Sequence, residues 1–547
     1  MSDHTDNTKS KPAASSRSGA SPSLSPEPWQ PKANIWVIGV VVALAAFMEV
    51  LDTSIANVAL PYMAGNLGAS NDESTWVLTS YLVSNAIVLP ISGWFAGVFG
   101  RKRFFMICLV IFTLSSLLCG LAPSLGAIIL FRVLQGAGGG GLQPMAQAIM
   151  ADTFPPRLRG VAFALYGITT IVAPTVGPTL GGWITDNYSW RWIFFINLPV
   201  GIAALLLVYR LIEDPPWVTR AKGAGVRIDY IGVGLLTLGV GALQVMLDKG
   251  QEDDWFGSHF ILTLAVVAAV CLLALVVWEW FYRHPIIDVR LFKNVNFLGA
   301  NFMMFMLGIM LFSSLVMMPL YLQTLMGYTA ESAGLVLSGG GLVLLFLMPV
   351  VGVLSSKVQA RYIIAFGWLS LSLAMYYSTQ RLDLDISFRF ASLLRVVQVF
   401  GLGFLFVPIN LVAYIGMPTE KSNSVAGLVN FMRNIGSSIG TSMVTTLIAR
   451  REQFHQVYMA AHTTPAKAPF TLWVKGLAAR LSVAGLDASL ASRQAYGRIY
   501  GALVRQATTL AYIDTFWVLA VGAVIMFLLS FALRKNEPGG GGEVAVG

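Results

Sequence analysis

Charge is scarce in this sequence. Asp, Glu, Lys and Arg make up 12% of its 547 residues, against 56% hydrophobic ones, and the mean hydropathy is +0.69. A soluble protein of this length cannot hide so much apolar side chain behind so few charges, whereas a bilayer core is itself an apolar solvent. Cysteine is scarce too. Cys108, Cys119 and Cys271 all lie in apolar stretches, which excludes a disulfide framework or a zinc spacing and leaves them as small buried hydrophobes. The five histidines (His4, His259, His284, His455 and His462) fall outside the apolar runs, so no metal or acid–base cluster forms in them. That argues against a membrane enzyme, and the lack of a recognisable signalling domain argues against a receptor. No ATP motif or soluble nucleotide domain is present, which leaves ion gradients as the energy source for any work, with no cofactor. The net charge of +9 would suit nucleic acid. However, the basic residues sit in short clusters between apolar runs, as they do at a membrane surface.

What is abundant is apolar runs of spanning length. They occur at roughly 35–60, 76–97, 104–122, 125–149, 160–184, 193–212, 230–248, 260–282, 297–320, 333–355, 362–378, 390–416, 424–448 and 511–533, each near the ~20 residues a helix needs to cross hydrocarbon. In lipid the backbone must satisfy its own hydrogen bonds, so these runs predict helices: an all-α polytopic membrane protein of about fourteen spans. The first run is too long, and too acidic, for a cleaved signal peptide. One set of short loops carries Arg101, Lys102 and Arg103, Arg157 and Arg159, Arg220, Lys222 and Arg227, Arg283, Arg290 and Lys293, Lys357 and Arg361. The alternate loops carry Asp72, Glu73, Asp186, Glu252 to Asp254, Asp383 and Asp385. This bias predicts that the basic loops and both termini are cytoplasmic.

Features recur eight spans apart. Pro90-Ile-Ser-Gly93 returns as Pro349-Val-Val-Gly352, and Arg132-Val-Leu-Gln135 as Arg395-Val-Val-Gln398. The expected organisation is a disordered tail over residues 1–31, a six-helix half over 32–215, and a linker with two inserted helices over 216–290. A second six-helix half over 291–535 and a flexible tail over 536–547 follow. Parallel halves around a midplane cavity are a transporter architecture. The loop 449–510 is basic and Ala-rich, with Tyr496, Ile499, Tyr500, Leu503 and Val504 on one helical stripe. It is expected to continue the flanking helices outward, for self-packing or for a partner.

Several strings carry a resemblance to a known family. They are Leu51-Asp52-Thr53-Ser54-Ile55-Ala56-Asn57-Val58-Ala59-Leu60-Pro61, Arg132-Val-Leu-Gln135-Gly136, and the stretch from Gly167 through Pro174 to Gly177-Pro178-Thr-Leu-Gly181-Gly182. Over nearly all of residues 35–535 the chain resembles the major facilitator superfamily, in its fourteen-helix drug:proton antiporter branch of EmrB-type multidrug exporters. The resemblance implies export of amphipathic drugs or toxic organics in exchange for protons across a bacterial inner membrane. It also implies a periplasmic position for loop 449–510, an EmrA-like periplasmic adaptor and an outer-membrane channel. Pro174, Gly177, Pro178, Gly181 and Gly182 match the antiport signature. The family's cytoplasmic gate loop matches at Gly93, Gly100, Arg101 and Lys102, but its acidic residue and following arginine are replaced by Gly97 and Val98. A proton-coupled symporter importing a small organic solute is the alternative on the same fold; the antiport signature argues against it.

An ionised carboxylate within a bilayer costs about 2.5–3.5 kcal/mol on insertion scales, so it persists where it faces a wet cavity or a partner. Glu49 and Asp52, three apart on one helix face, are therefore candidate proton carriers. Arg132 lies at a similar depth and is the expected partner that tunes them, snorkelling to the interface being the bland alternative. For Arg395 snorkelling is the leading expectation. Arg433 could bind substrate or brace the gate. Asp514 reads first as an interface residue, and Asn57 and Gln135 stand as substrate or gating candidates from the matched strings. Gly136 to Gly141 contains a G-x-G-x-x-G string, but inside a membrane helix it reads as close helix packing. Met303, Met304, Met306, Met310, Met317 and Met318 read first as lipid-facing filler, and otherwise as an adaptable wall for ligands.

Overall fold

The computed structural model describes residues 31–215 and 229–535, and among them every regular element is a helix. The first six long ones are α1 (Ile35–Leu67), α2 (Trp76–Phe99), α3 (Arg101–Leu121), α4 (Leu125–Thr153), α5 (Arg159–Asn187) and α6 (Asn197–Leu211). A pair follows, α7 (Tyr230–Lys249) and α8 (His259–Phe281). Then come α9 (Val295–Thr324), α10 (Ala330–Leu354), α11 (Ala360–Arg381), α12 (Phe388–Ala413), α13 (Ser422–His462), α14 (Ala468–Val483) and α15 (Ala488–Leu529). Side-chain caps mark several starts, where Ser124, Ser387 and Thr329 accept the amides of Ala127, Phe390 and Ser332.

Each of the fourteen apolar runs is largely helical, some overrunning a helix end and 193–212 interrupted at Ile196, and among the described residues twelve helical stretches are long and apolar enough to cross a membrane. The other two, α11 and α13, have 22 and 41 residues, so it is polarity and not length that sets them apart. The tails expected at the two ends (Pro31 apart) and the basic stretch with Arg220, Lys222 and Arg227 lie outside the described residues.

Packing repeats with the period seen in the sequence. In the first half α1 lies on α5, α4 and α6; α2 lies on α4; and α3 lies on α4 and α6. In the second, α9 lies on α13, α12 and α15; α10 lies on α12; and α11 lies on α12 and α15. The halves meet by a reciprocal exchange, α2 against α13 and α5 against α10.

Small residues bring these surfaces together. At the end bearing Arg101, a Cβ on Gly160 would stand 2.4 Å from the Gly352 carbonyl oxygen, and one on Gly93 would stand 2.8 Å from Ser424 Cα. The halves therefore touch backbone to backbone at the basic end. The run Gly136 to Gly141 seats α4 against α2 and α3, with Gly136 over the Tyr81 carbonyl and Gly138 over the Phe112 amide. In α5, Gly177 and Gly181 face Ser54 and Ile55 of α1, and nothing lies within 4 Å of a Cβ on Gly182. Gly177 and Gly181 of the antiport signature thus serve contact inside the first half, while the α5 surface toward α10 carries Gly160, Thr175 and Thr179.

The inserted pair packs on itself, and α7 also lies on both α2 and α13. Gln244 exchanges hydrogen bonds with Ser438 at 2.9 and 3.0 Å, and Thr79 donates to Asp248. Beyond the span, α13 runs on to His462, and α14 folds back onto α15 around Val474, Leu481, Ala491, Ala495 and Ile499. Loop 449–510 is thus a helical hairpin with its own small core. Its expected stripe divides, with Ile499 and Leu503 buried but Tyr496 and Tyr500 exposed. Asp487 caps α15, and the hydroxyl and amide of Ser489 hold its carboxyl below the usual range.

Candidate functional site

Asp52 lies midway along α1, 2% exposed, and three donors from two other helices converge on it. Arg132 Nη1 of α4 donates to its Oδ2 at 2.6 Å. Gln135 Nε2, one turn further along α4, donates to Oδ1 at 3.0 Å, and Asn197 Nδ2 of α6 donates to the same oxygen at 2.6 Å. Asn197 also reaches Ser116 Oγ of α3 at 3.0 Å. The guanidinium is itself enclosed. Nε donates to the Val77 carbonyl at 3.1 Å, and the Tyr81 ring lies 4.2 Å below its carbon. Arg132 is wholly buried, so it does not snorkel. Arg132 Nη2 has no acceptor, but the bonds from Nη1 and Nε, with the donors on Asp52, are of the kind that lets a charged pair persist in a low-dielectric interior.

Tyr81 joins this pair to Glu49. Its hydroxyl donates to Glu49 Oε1 at 2.8 Å, and Asn85 Nδ2 donates to the same oxygen at 3.0 Å. Gln143 of α4 donates to Glu49 Oε2, and its own Oε1 accepts from Arg433 of α13, in the second half. The chain continues: Tyr166 of α5 donates to Gln143 Oε1 at 3.3 Å and to Asn430 Oδ1 at 2.8 Å. Asn430 donates to Gln147, which donates to Asn410 of α12. One buried polar network therefore runs from Asp52, through Arg132, Tyr81, Glu49 and Gln143, into the second half.

Other candidates fall elsewhere. Asn57 is exposed and outside the network. Arg395 is 1% exposed and donates through Nη1 to Ser314 Oγ at 2.9 Å. The expected snorkelling does not occur, because α12 packs between α9, α10 and α11, with the arginine on the inner face. Asp514 is part-buried at the foot of the hairpin of α13, α14 and α15, where Arg451 Nε and His455 Nε2 approach its Oδ2 at 2.6 and 2.7 Å. Five of the six methionines in α9 are buried and Met306 is half-buried, so they form an interior surface and not lipid-facing filler.

The gate loop has its carboxylate from another source. Arg101 pairs with Asp152 at the end of α4, and Asp152 Oδ1 accepts from Ser422 Oγ of the second half at 3.1 Å. The Lys102 amide donates to Asp214 Oδ1 at 2.8 Å. Gly97 has open space around it, so the residue replaced in the family string leaves no hole in this contact.

Sequence reasoning missed Tyr81, Asn85, Asp152, Gln143, Gln147, Tyr166, Asn197, Asn410 and Asn430 as members of the site. Most are neutral polar residues, whose insertion into a helix costs too little to stand out from ordinary composition. One signal was available: Gln143 and Gln147 lie one turn apart on α4, as Asn430 and Arg433 do on α13.

With this geometry in place, comparison with known proteins identifies the chain. Residues 42–441 match the family model for the Major Facilitator Superfamily, and the chain belongs to that family of multi-span membrane transporters. It is 36% identical over 511 residues to "Multidrug export protein EmrB" of Escherichia coli K12, covering 93% of this chain and 98% of the relative. The EmrB of Haemophilus influenzae is 40% identical over 429 residues, covering 78% and 83%. "Fatty acid resistance protein FarB" of Neisseria gonorrhoeae is 37% identical over 517 residues, covering 91% and 96%. Among solved structures, the proton:xylose symporter XylE superposes with a TM-score of 0.57 at 14% identity, covering 92% of this chain and 96% of that one, a likeness of fold.

Proposed function

We propose that this protein is a proton-driven multidrug exporter that moves amphipathic small molecules across the inner membrane by alternating access. The observation that carries this reading is the buried Asp52–Arg132 pair wired through Tyr81 and Glu49 to Gln143 and Arg433. A proton on Asp52 removes the charge that holds Arg132. The guanidinium keeps Gln135 and the Val77 carbonyl but loses its strongest acceptor. Any shift of Arg132 is felt by Tyr81, and through Glu49 by the bond that ties Gln143 to Arg433 across the halves. Proton arrival on one half is thereby read as a weaker grip on the other, which is the coupling an antiporter needs. The names of the EmrB relatives support drugs or toxic organics as the cargo, and the ion gradient supplies the energy with no cofactor. By the same relationship, the outer hairpin of α13, α14 and α15 is where a periplasmic adaptor leading to an outer-membrane channel would sit.

In proteoliposomes, adding substrate should release protons from wild-type protein. Arg132→Ala should abolish export while the protein remains folded in the membrane. It leaves Asp52 as an unpaired buried charge, a loss of about 3–5 kcal/mol relieved when Asp52 keeps its proton. Full transport by that variant would remove the pair from the mechanism. A symporter would instead take up protons together with substrate.

The orientation is tested separately. With the native cysteines replaced, a cysteine at Gly257 should label from outside the cell and one at Gly223 should not. The reverse pattern would turn the molecule over.

A further inference from the structure

The second half repeats part of the first half's charged site and lacks its carboxylate. Arg395 and Gln398 follow Arg132 and Gln135 at the same spacing of 263 residues. On α9, which lies on α12 as α1 lies on α4, Ser314 stands 262 residues after Asp52. On α11, Ser378 stands 262 residues after Ser116. On α10, Gly340 stands where α2 has Tyr81, at the offset that relates Pro90 to Pro349. In the first half Arg132, Gln135 and Asn197 converge on one carboxylate. In the second half two of those donors recur and the carboxylate does not.

The result is a cation without a counter-charge. Arg395 is 1% exposed, and its Nη1 rests on the Ser314 hydroxyl at 2.9 Å while its Nε has no acceptor. Gln398 has turned to donate to Ser378 Oγ at 2.9 Å. Among the described residues no carboxylate pairs with Arg395, and no aromatic ring lies over it as Tyr81 lies over Arg132. A guanidinium stays charged in proteins, and a buried charge with no partner is strongly unfavourable. The compensating charge is then not supplied by the described residues.

We propose that Arg395 and Ser314 form an anion-binding site in the second half, which takes from solution or from a substrate the acidic group that Asp52 supplies in the first. The anion is either the carboxylate of an amphipathic organic acid or an inorganic anion. The link to cargo rests on the export reading above; the site itself rests on the broken repeat.

The test uses the full-length protein in a nonionic maltoside, in isethionate buffer free of chloride. It is titrated with 4-butylbenzoate, with the neutral 4-butylbenzamide and with chloride, binding being read by equilibrium dialysis and by the shift in thermal unfolding. Either of two results supports the site: the benzoate binds about tenfold more tightly than the amide, or chloride alone stabilises the protein. The first assigns an organic acid, and the second an inorganic anion. Either effect must vanish in Arg395→Gln. It must also vanish in Ser314→Asp, which restores the internal carboxylate of the first half and keeps the test valid should Arg395→Gln fail to fold. Equal binding of benzoate and amide with no chloride effect overturns the proposal, as does an anion effect that survives in either folded variant. Arg395-dependent binding without substrate-driven proton release would retain the site and sink the export reading. Proton-coupled export of cationic dyes with no anion effect would do the opposite.

Discussion

In Asp52→Asn, uphill export driven by a pH step falls to the level of protein-free liposomes, while downhill substrate exchange persists. Asparagine keeps the shape of the side chain and fixes the neutral state, so Arg132 faces the same partners it has when Asp52 carries its proton. The three donors that hold the carboxylate come from α4 and α6; the amide oxygen can still accept from Gln135 and Asn197 in place of Oδ1, while its NH2 group, like the hydroxyl of a protonated Asp52, offers Arg132 no acceptor. The fold should therefore survive, and what is lost is the alternation between charged and neutral. Glu49→Gln is expected to act differently, with a smaller loss of pH-driven transport and a changed substrate preference. Glu49 touches Tyr81, Asn85 and Gln143 and lies closer to the contact between halves. Efflux from liposomes after a pH jump, measured for both variants, decides the matter. Wild-type pH dependence in Asp52→Asn would eliminate Asp52 and move attention to Glu49.

The second large effect is mechanical. Gly160→Val lowers the export rate about tenfold or more without abolishing substrate binding. The Cβ it adds would stand 2.4 Å from the Gly352 carbonyl oxygen, a backbone atom that cannot swing away. Overpacking of this kind costs about 1–3 kcal/mol, and it penalises only those states in which the basic ends of α5 and α10 touch. A bias of that size moves a two-state equilibrium by roughly fivefold to a hundredfold. Spin-label distances between the basic ends of α5 and α10 should lengthen in step with the lost rate. Gly97→Ala, at a position with nothing within 4 Å, is the control that should transport normally. Equal rates for Gly160→Val and wild type would show that this contact never forms during the cycle.

The fold was legible because bilayer solvation is a strong filter. Each apolar run became a helix, and paired strings such as Pro90–Gly93 and Pro349–Gly352 disclosed the repeat before any packing was known. The charged centre was legible for the same reason: an acid and a base at matching depth in apolar helices have few explanations. The rest turned on azimuth. Periodicity tells which residues share a face of one helix, but not which neighbour that face meets. The antiport-signature match therefore did not show that glycines 177 and 181 face α1, and the methionines of α9 were placed toward lipid when they point inward. Arg395 was misjudged because periodicity along α12 does not show that α9, α10 and α11 enclose the face it lies on. The neutral links Gln143, Tyr166 and Asn430 carry no charge to draw attention.

The outer hairpin gives the second half something the first half lacks, a lever. Helix α13 has 41 residues, about 60 Å of rigid rod, and roughly the last 20 Å stands beyond the span. It is stiffened by α15 running beside it and by the core that α14 folds around. Tilting such a rod by about ten degrees sweeps its free end through roughly 4 Å relative to the membrane surface. On the alternating-access reading proposed above, a partner seated on that end would be pushed and released once per turnover, by a stroke long enough to break and remake side-chain contacts. Among the described residues the first half has no arm of comparable reach, so the motion delivered there would be one-sided.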